Sequence, residues 1–228
     1  MGQLMKEVLE EHGFEVEIKP DFSLTGMRRA LKNNSIDVCA EYTGTAWTIH
    51  LGYPYDRTLD HEAQYNVVRI LDKTDSTLIW LNPIWNNNNY RLAVRSEFAK
   101  EHGLETISDL AELYRAKEGR IETFIISDYY QRPYGLVSLQ RTYRFETNER
   151  FLQTGPPGVS GEVLENRSVD VGVILATDPA IEEYSLVVLK DNLIFHPPQD
   201  LTPVVRLDIL KSYLEVQEIL NSLVATFP

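Results

Sequence analysis

Two short segments of this 228-residue chain carry side chains suited to holding a small charged molecule. The first is Glu41-Tyr42-Thr43-Gly44-Thr45, which follows a strand-like run and precedes the helix-like residues 46–51. Hydroxyls and free backbone N–H groups at a helix start attract an anion, although the same residues also make an ordinary helix cap. Tyr42 adds an aromatic face, which attracts a cation once water is excluded. The second segment is Ser127-Asp128-Tyr129-Tyr130-Gln131-Arg132-Pro133-Tyr134-Gly135. A guanidinium such as Arg132 binds a carboxylate through two parallel hydrogen bonds. The plainer alternative is a surface arginine paired with a local acid.

Other chemistries lack their residues. His12, His50, His61, His102 and His196 are scattered without H-E-x-x-H or similar spacing, so no metal site is expected. No G-x-S-x-G, P-loop or G-x-G-x-x-G occurs, and no pair of carboxylates has the spacing of an acid/base couple, so no enzyme and no cofactor are expected. Lys and Arg total 22 against 34 Asp and Glu, a formal net charge of −12, which repels phosphate backbones and argues against nucleic-acid binding. A single cysteine, Cys39, excludes an intrachain disulfide framework. No apolar run is long enough for a membrane span, and the opening residues lack a signal-peptide pattern.

The elements that must position these groups alternate between helical and strand periodicity, which predicts an α/β fold with mostly parallel sheets flanked by helices. Leu4 with Val8 and Met5 with Leu9 mark a first helix stopped by Gly13. Residues 14–19 alternate apolar and charged like a strand with one wet face, residues 24–33 read as a helix, and 36–40 as a buried-type strand. Val216, Ile219, Leu220, Leu223 and Val224 mark a last amphipathic helix. An internal echo adds to this: Leu31-Lys-Asn33-Asn-Ser35-Ile36-Asp37-Val38 recurs as Leu164-Glu-Asn166-Arg-Ser168-Val169-Asp170-Val171. Each copy ends a helix, turns at Asn and Ser and enters a β-branched strand. The copies lead, at equal offsets, to Tyr42 and Leu175. Two similar lobes are expected, with ligand at the carboxyl ends of the strands in a cleft between them. The polar run Asn86-Asn87-Asn88-Asn89 and the pair Pro197-Pro198 are natural crossings, which places lobe 1 at residues 1–87 and 197–228 and lobe 2 at 88–196.

The segments ALKNNSIDVCAEYTGTA, NNNNYRLAV with the following ISDL, SDYYQRPYG, VDVGVILATD, and LVVLKDNLIFHPP followed by PVVR resemble, in order, the substrate-binding proteins of osmoprotectant ABC importers. Those proteins capture glycine betaine, choline, carnitine or proline betaine. The resemblance implies a two-lobed periplasmic-binding-protein fold of type II that closes on its ligand by hinge motion, here near Asn88 and His196. It also implies a membrane permease as partner and an extracytoplasmic location, periplasmic or at the cell surface and membrane-associated, with the signal or anchor outside this chain. Carried over by position, Tyr42 and Tyr90 are walls of an aromatic cage, Thr45 and Arg132 hold the solute carboxylate, and Asn88 offers its backbone carbonyl.

The chain departs from the family pattern in places that matter. Leu175 and Gln199 stand where cage tyrosines are usual, and Tyr134 where an R-P-D-G acid is usual. Losing two aromatic faces removes about 1–4 kcal/mol, on the order of fivefold to thousandfold in affinity for a quaternary ammonium. Gln199 can hydrogen-bond, so a solute with hydroxyl, amine or amide groups in place of one methylated face also fits. The family's opening strand has no counterpart here; either the sequence is a truncated piece or another chain or segment fills the gap, and in the latter case a swapped or dimeric assembly is expected to cover the exposed sheet edge. The rival reading is a ligand-sensing or interaction domain of the same fold that has lost betaine transport.

Overall fold

The computed structural model of the protein describes residues 1–19 and 22–227. The chain divides into two units, Met1–Asn87 with Pro198–Pro228, and Asn88–Pro197, so the backbone passes twice from one to the other.

The first unit is built on three strands in the order β1 (Val38–Tyr42), β8 (Leu201–Arg206), β2 (Leu78–Trp80), all antiparallel. Alternation along the strands sends neighbours to opposite faces. Cys39 and Val204 join Leu31, Trp47, Tyr65, Val68 and Trp80 under the helices Leu24–Lys32 and His61–Ser76. Val205 instead joins Met5, Leu9, Ile219 and Leu220 under the helices Gly2–Glu11 and Glu215–Val224. Ser23 and Asp60 start their helices by accepting from Gly26 N and Ala63 N, the side-chain caps that satisfy otherwise unpaired first-turn donors.

The second unit holds five strands in the order β5 (Leu152–Gly155), β4 (Thr123–Ile126), β6 (Val171–Leu175), β3 (Tyr90–Val94), β7 (Val187–Val188). β4 runs parallel to β5 and β6, and β3 antiparallel to β6 and β7. The α/β class holds, but the first sheet is antiparallel and the second mixed, rather than both mostly parallel. The strands that follow the two crossings, β3 and β8, are not reached by a helical crossover, and each enters its sheet against the local direction.

Two local expectations are corrected. Residues 14–19 pair with no strand among the described residues; Phe14 and Val16 pack on the cluster of Met5, Leu9, Ile219 and Leu220, while Lys6 Nζ donates to Val16 O at 2.8 Å. Alternation reports a half-wet face, whereas a strand also needs a partner edge. The strand expected at 36–40 begins two residues later, because Ile36 and Asp37 still belong to the turn before it.

The sequence echo is a structural repeat. Asn33 and Asn166 each cap a helix end, and each side-chain oxygen accepts from Ser35 N or Ser168 N, at 3.1 and 3.0 Å. The residue between them adopts a left-handed backbone in both copies, Asn34 at φ 63° and Arg167 at φ 64°. An arginine at the end of the neighbouring antiparallel strand, or one residue past it, then pins each turn. Arg206 Nη1 donates to Ile36 O at 3.4 Å and its Nη2 pairs with Asp37 at 3.2 Å. Arg95 likewise donates to Val169 O at 2.5 Å and pairs with Asp170 at 2.8 Å. The strand pairs match as well: Val38 faces Val205 and Tyr42 faces Leu201, as Val171 faces Val94 and Leu175 faces Tyr90. Each unit therefore carries one tyrosine at the same end of the same strand pair, on β1 in the first and on β3 in the second.

Candidate functional site

In the first unit β1 delivers half-buried Tyr42 to the start of a helical segment that runs from Thr43–Thr45 into a π-type turn, Ala46–His50. Residues 198–200 pass close beside it. A Cβ on Gly44 would stand 2.7 Å from Gln199 Nε2 and closer still to Pro198 O, so only glycine admits that approach. Gln199 Oε1 lies 3.2 Å from Thr45 N and 3.4 Å from Thr45 Oγ1, and accepts from both. The two donors expected to meet a solute carboxylate are thus occupied by a side chain of the protein. Gln199, where a cage tyrosine was the expectation, instead spends its carbonyl oxygen on Thr45.

Behind this half lies a buried ionic cluster that sequence reasoning missed. Arg28 forks onto Asp72, whose Oδ2 also accepts from Trp80 Nε1 at 2.7 Å. Glu41, the neighbour of Tyr42, sits 3.3 Å from Arg28 Nη1, and its other oxygen is 3.4 Å from His50 Nε2. Asp72 takes most of the arginine, so burial wins at Glu41 and pushes its carboxyl up to about 7 despite Arg28. Burial, with Arg28 second, lowers His50 to about 4. The pair holds its proton on Glu41, with neutral His50 beside it.

This arrangement has a pH signature. Glu41, raised from 4.5 to about 7, adds stability below 4.5 that is lost as pH rises through about 7. His50, lowered from 6.5 to about 4, adds stability above 6.5 that is lost as pH falls through about 4. The two slopes oppose each other where the windows overlap. Removing the histidine with His50→Asn should leave the variant losing stability, relative to the parent, by roughly 1 kcal/mol per pH unit as pH rises from about 4 to 6.5. Urea unfolding across that range tests it; parallel curves for the two proteins would show that His50 is not held neutral.

In the second unit, β3 and the helix Ser127–Gln131 bring Tyr90, Asp128 and Arg132 together. Asp128 Oδ2 accepts from Arg132 Nε at 2.8 Å, Arg132 Nη2 at 2.5 Å and the Tyr90 hydroxyl at 2.9 Å. The guanidinium carbon stands 5.2 Å from the centre of the Tyr90 ring. Arg132 and a local acid are indeed paired, at the i,i+4 spacing visible in the sequence. Asp128 engages only the Nε side of the guanidinium; Nη1 makes no hydrogen bond among the described residues, so a second carboxylate can still be held end-on.

Tyr90 leans on Tyr129, ring centres 4.8 Å apart, and Tyr129 is held from behind. Its hydroxyl donates to His196 Nε2 at 2.9 Å, because His196 Nδ1 donates to Asp191 at 2.9 Å and fixes the tautomer. Burial raises the Asp191 carboxyl, but hydrogen bonds from His196, Phe195 N and Tyr143 outweigh it and hold the group well below its ordinary range. Burial in turn keeps His196 neutral. Leu175 faces Tyr90 across the β6–β3 pair, and Asn88 Oδ1 accepts from Thr177 Oγ1 at 2.8 Å. The seven expected site residues thus fall into two groups: Tyr42, Thr45 and Gln199 in the first unit, and Asn88, Tyr90, Arg132 and Leu175 in the second.

The second group can bind both ends of a zwitterion only if the guanidinium does not repel the cation. A cation about 6 Å from it meets about 3 kcal/mol of repulsion at an effective dielectric of 20, more than the roughly 0.5–2 kcal/mol that an aromatic face returns.

A middle unit inserted in an outer one, each an α/β sheet flanked by helices, defines the class of type II periplasmic-binding proteins, to which solved structures similar to this chain belong. Residues 1–227 match the family described as "OpuAC: Substrate binding domain of ABC-type glycine betaine transport system", and the chain belongs to that family. It is 28% identical over 96% of its length to a glycine-betaine-binding protein of Pseudomonas aeruginosa, covering 71% of that protein. It is 30% identical over 98% of its length to the Helicobacter pylori "Ergothioneine transport permease/ergothioneine binding protein EgtU", covering 39% of it. Among solved structures, a "glycine betaine/carnitine/choline ABC transporter" protein is 25% identical with a TM-score of 0.75, over 97% of this chain and 80% of the other. The family binds and delivers rather than catalyses, and works outside the cytoplasm. These likenesses support the importer reading and not a sensing module. Among the described residues no helix is long and apolar enough to cross a membrane, and no group of three or more His, Cys, Asp or Glu could hold a metal ion.

Proposed function

We propose that this chain captures a small zwitterionic or quaternary-ammonium-like osmolyte and hands it to the membrane permease of an ABC importer. The residues that meet the solute are Tyr42 and Tyr90 at the cationic end, Arg132 at the carboxylate, Asn88 through its backbone and Leu175 through packing. Thr45 acts through Gln199, whose Nε2 makes no hydrogen bond among the described residues and is left to donate to the solute. The observation that carries this reading is the Tyr90–Asp128–Arg132 cluster, a guanidinium standing over the Tyr90 ring with one end that makes no hydrogen bond among the described residues.

Because Gln199 fills the Thr45 donors, Arg132 carries the carboxylate alone. Leu175 and Gln199 withhold two aromatic faces, so a plain betaine binds more weakly than in a full cage, and a solute with an extra acceptor facing Gln199 binds better. Calorimetry with glycine betaine, carnitine, choline and ergothioneine should give heat with at least one carboxylate-bearing solute. Silence across the set would remove the capture reading.

The protein works in the periplasm or at the cell surface, held at the membrane. A dimer or strand-swapped pair follows from β1, which pairs only with β8 among the described residues and presents its other edge. Sedimentation at micromolar concentration should show a dimer; a monomer removes that part.

A further inference from the structure

We infer that Asp128 is the counter-charge that lets the Tyr90 ring accept a cation beside Arg132, and so sets the preference between carboxylate-free cations and zwitterions. This rests on the proposed roles of Tyr90 and Arg132 as solute contacts. One oxygen, Asp128 Oδ2, receives all three donors: Arg132 Nε, Arg132 Nη2 and the Tyr90 hydroxyl. Its negative charge is therefore shared between the clamp and the wall, where a ligand cation would otherwise meet an uncompensated guanidinium 5.2 Å from the ring centre.

The acid does not compete with the solute carboxylate, because it takes the Nε side of the fork and leaves Nη1 unbonded among the described residues. Two consequences follow from removing the charge alone. A carboxylate-free cation brings nothing to neutralise Arg132 and meets the full repulsion. A zwitterion carries its own carboxylate to the free end of the fork and is nearly unaffected. The side chain of Asp128 is itself well exposed, at 58%, so the charge can be removed without opening the core.

The test compares the parent with Asp128→Asn, of the same shape, and Asp128→Glu, of the same charge, by calorimetry with choline and glycine betaine. Choline should weaken about tenfold in the asparagine variant and glycine betaine less than about threefold, with the glutamate variant restoring much of the parental ratio. A merely structural role would weaken both solutes by one factor, and that result overturns the inference while leaving capture intact. A parent protein that binds neither solute, nor any other in the panel, instead overturns the capture reading and the inference with it. A readout without ligand is the Arg132 Nε–H proton, which should exchange slowly in the parent and fast in Asp128→Asn; equal exchange overturns the assignment.

Discussion

Asp72→Ala should destabilise the first unit by about 3–5 kcal/mol, the cost typical of stripping one partner from a buried ion pair. Asp72 is fully buried and accepts from both Arg28 terminal nitrogens, Trp80 Nε1 and Ser76 Oγ. Its loss leaves a buried guanidinium with Glu41 as its one remaining ion-pair partner among the described residues, a carboxyl that burial has already pushed up to about 7. At a few degrees per kcal/mol for a domain of this size, the melting temperature should fall by about 10 °C. The double variant Arg28→Met/Asp72→Leu separates charge from packing. Apolar replacement of a whole buried pair is often neutral, so the double variant should be more stable than Asp72→Ala. If it is no more stable, the cost lies in packing rather than in the orphaned charge. The cluster also bears on the proposed role of Tyr42, because Glu41 precedes it on β1.

The second large effect is on binding. Arg132→Ala should weaken carboxylate-bearing solutes by 2–5 kcal/mol, about 30-fold to several thousandfold, the cost of removing one side of a hydrogen-bonded charge pair. Choline should lose much less, since the variant also removes the like charge 5.2 Å from the Tyr90 ring. Arg132→Lys keeps the charge but not the fork, and should recover only part of the loss. Equal losses for glycine betaine and choline would remove Arg132 as the carboxylate clamp.

Much of the fold was legible before any coordinates. The last helix buries Val216, Ile219, Leu220 and Val224 as its spacing requires. The L-x-N-x-S-[I/V]-D-V echo marked two turns that share their Asn-to-Ser hydrogen bond and their pinning arginine. Local physics explains that success, because capping, turn conformation and which face is apolar depend on residues a few positions apart. Residues 14–19 show the limit, since their alternation is real but no strand edge meets them among the described residues.

By itself, then, the sequence determined the α/β class, the position of most elements, the lack of enzyme and metal signatures and the residue types offered to a zwitterion. Tertiary structure alone decided which of those groups have their hydrogen bonds already spoken for. Gln199 reaches Thr45 from 154 positions away, and Arg28 meets Asp72 across 44. Such pairings depend on how distant strands close on one another, and a side chain's donors and acceptors take whichever partner that closure brings within about 3 Å. Periodicity carries no record of that choice.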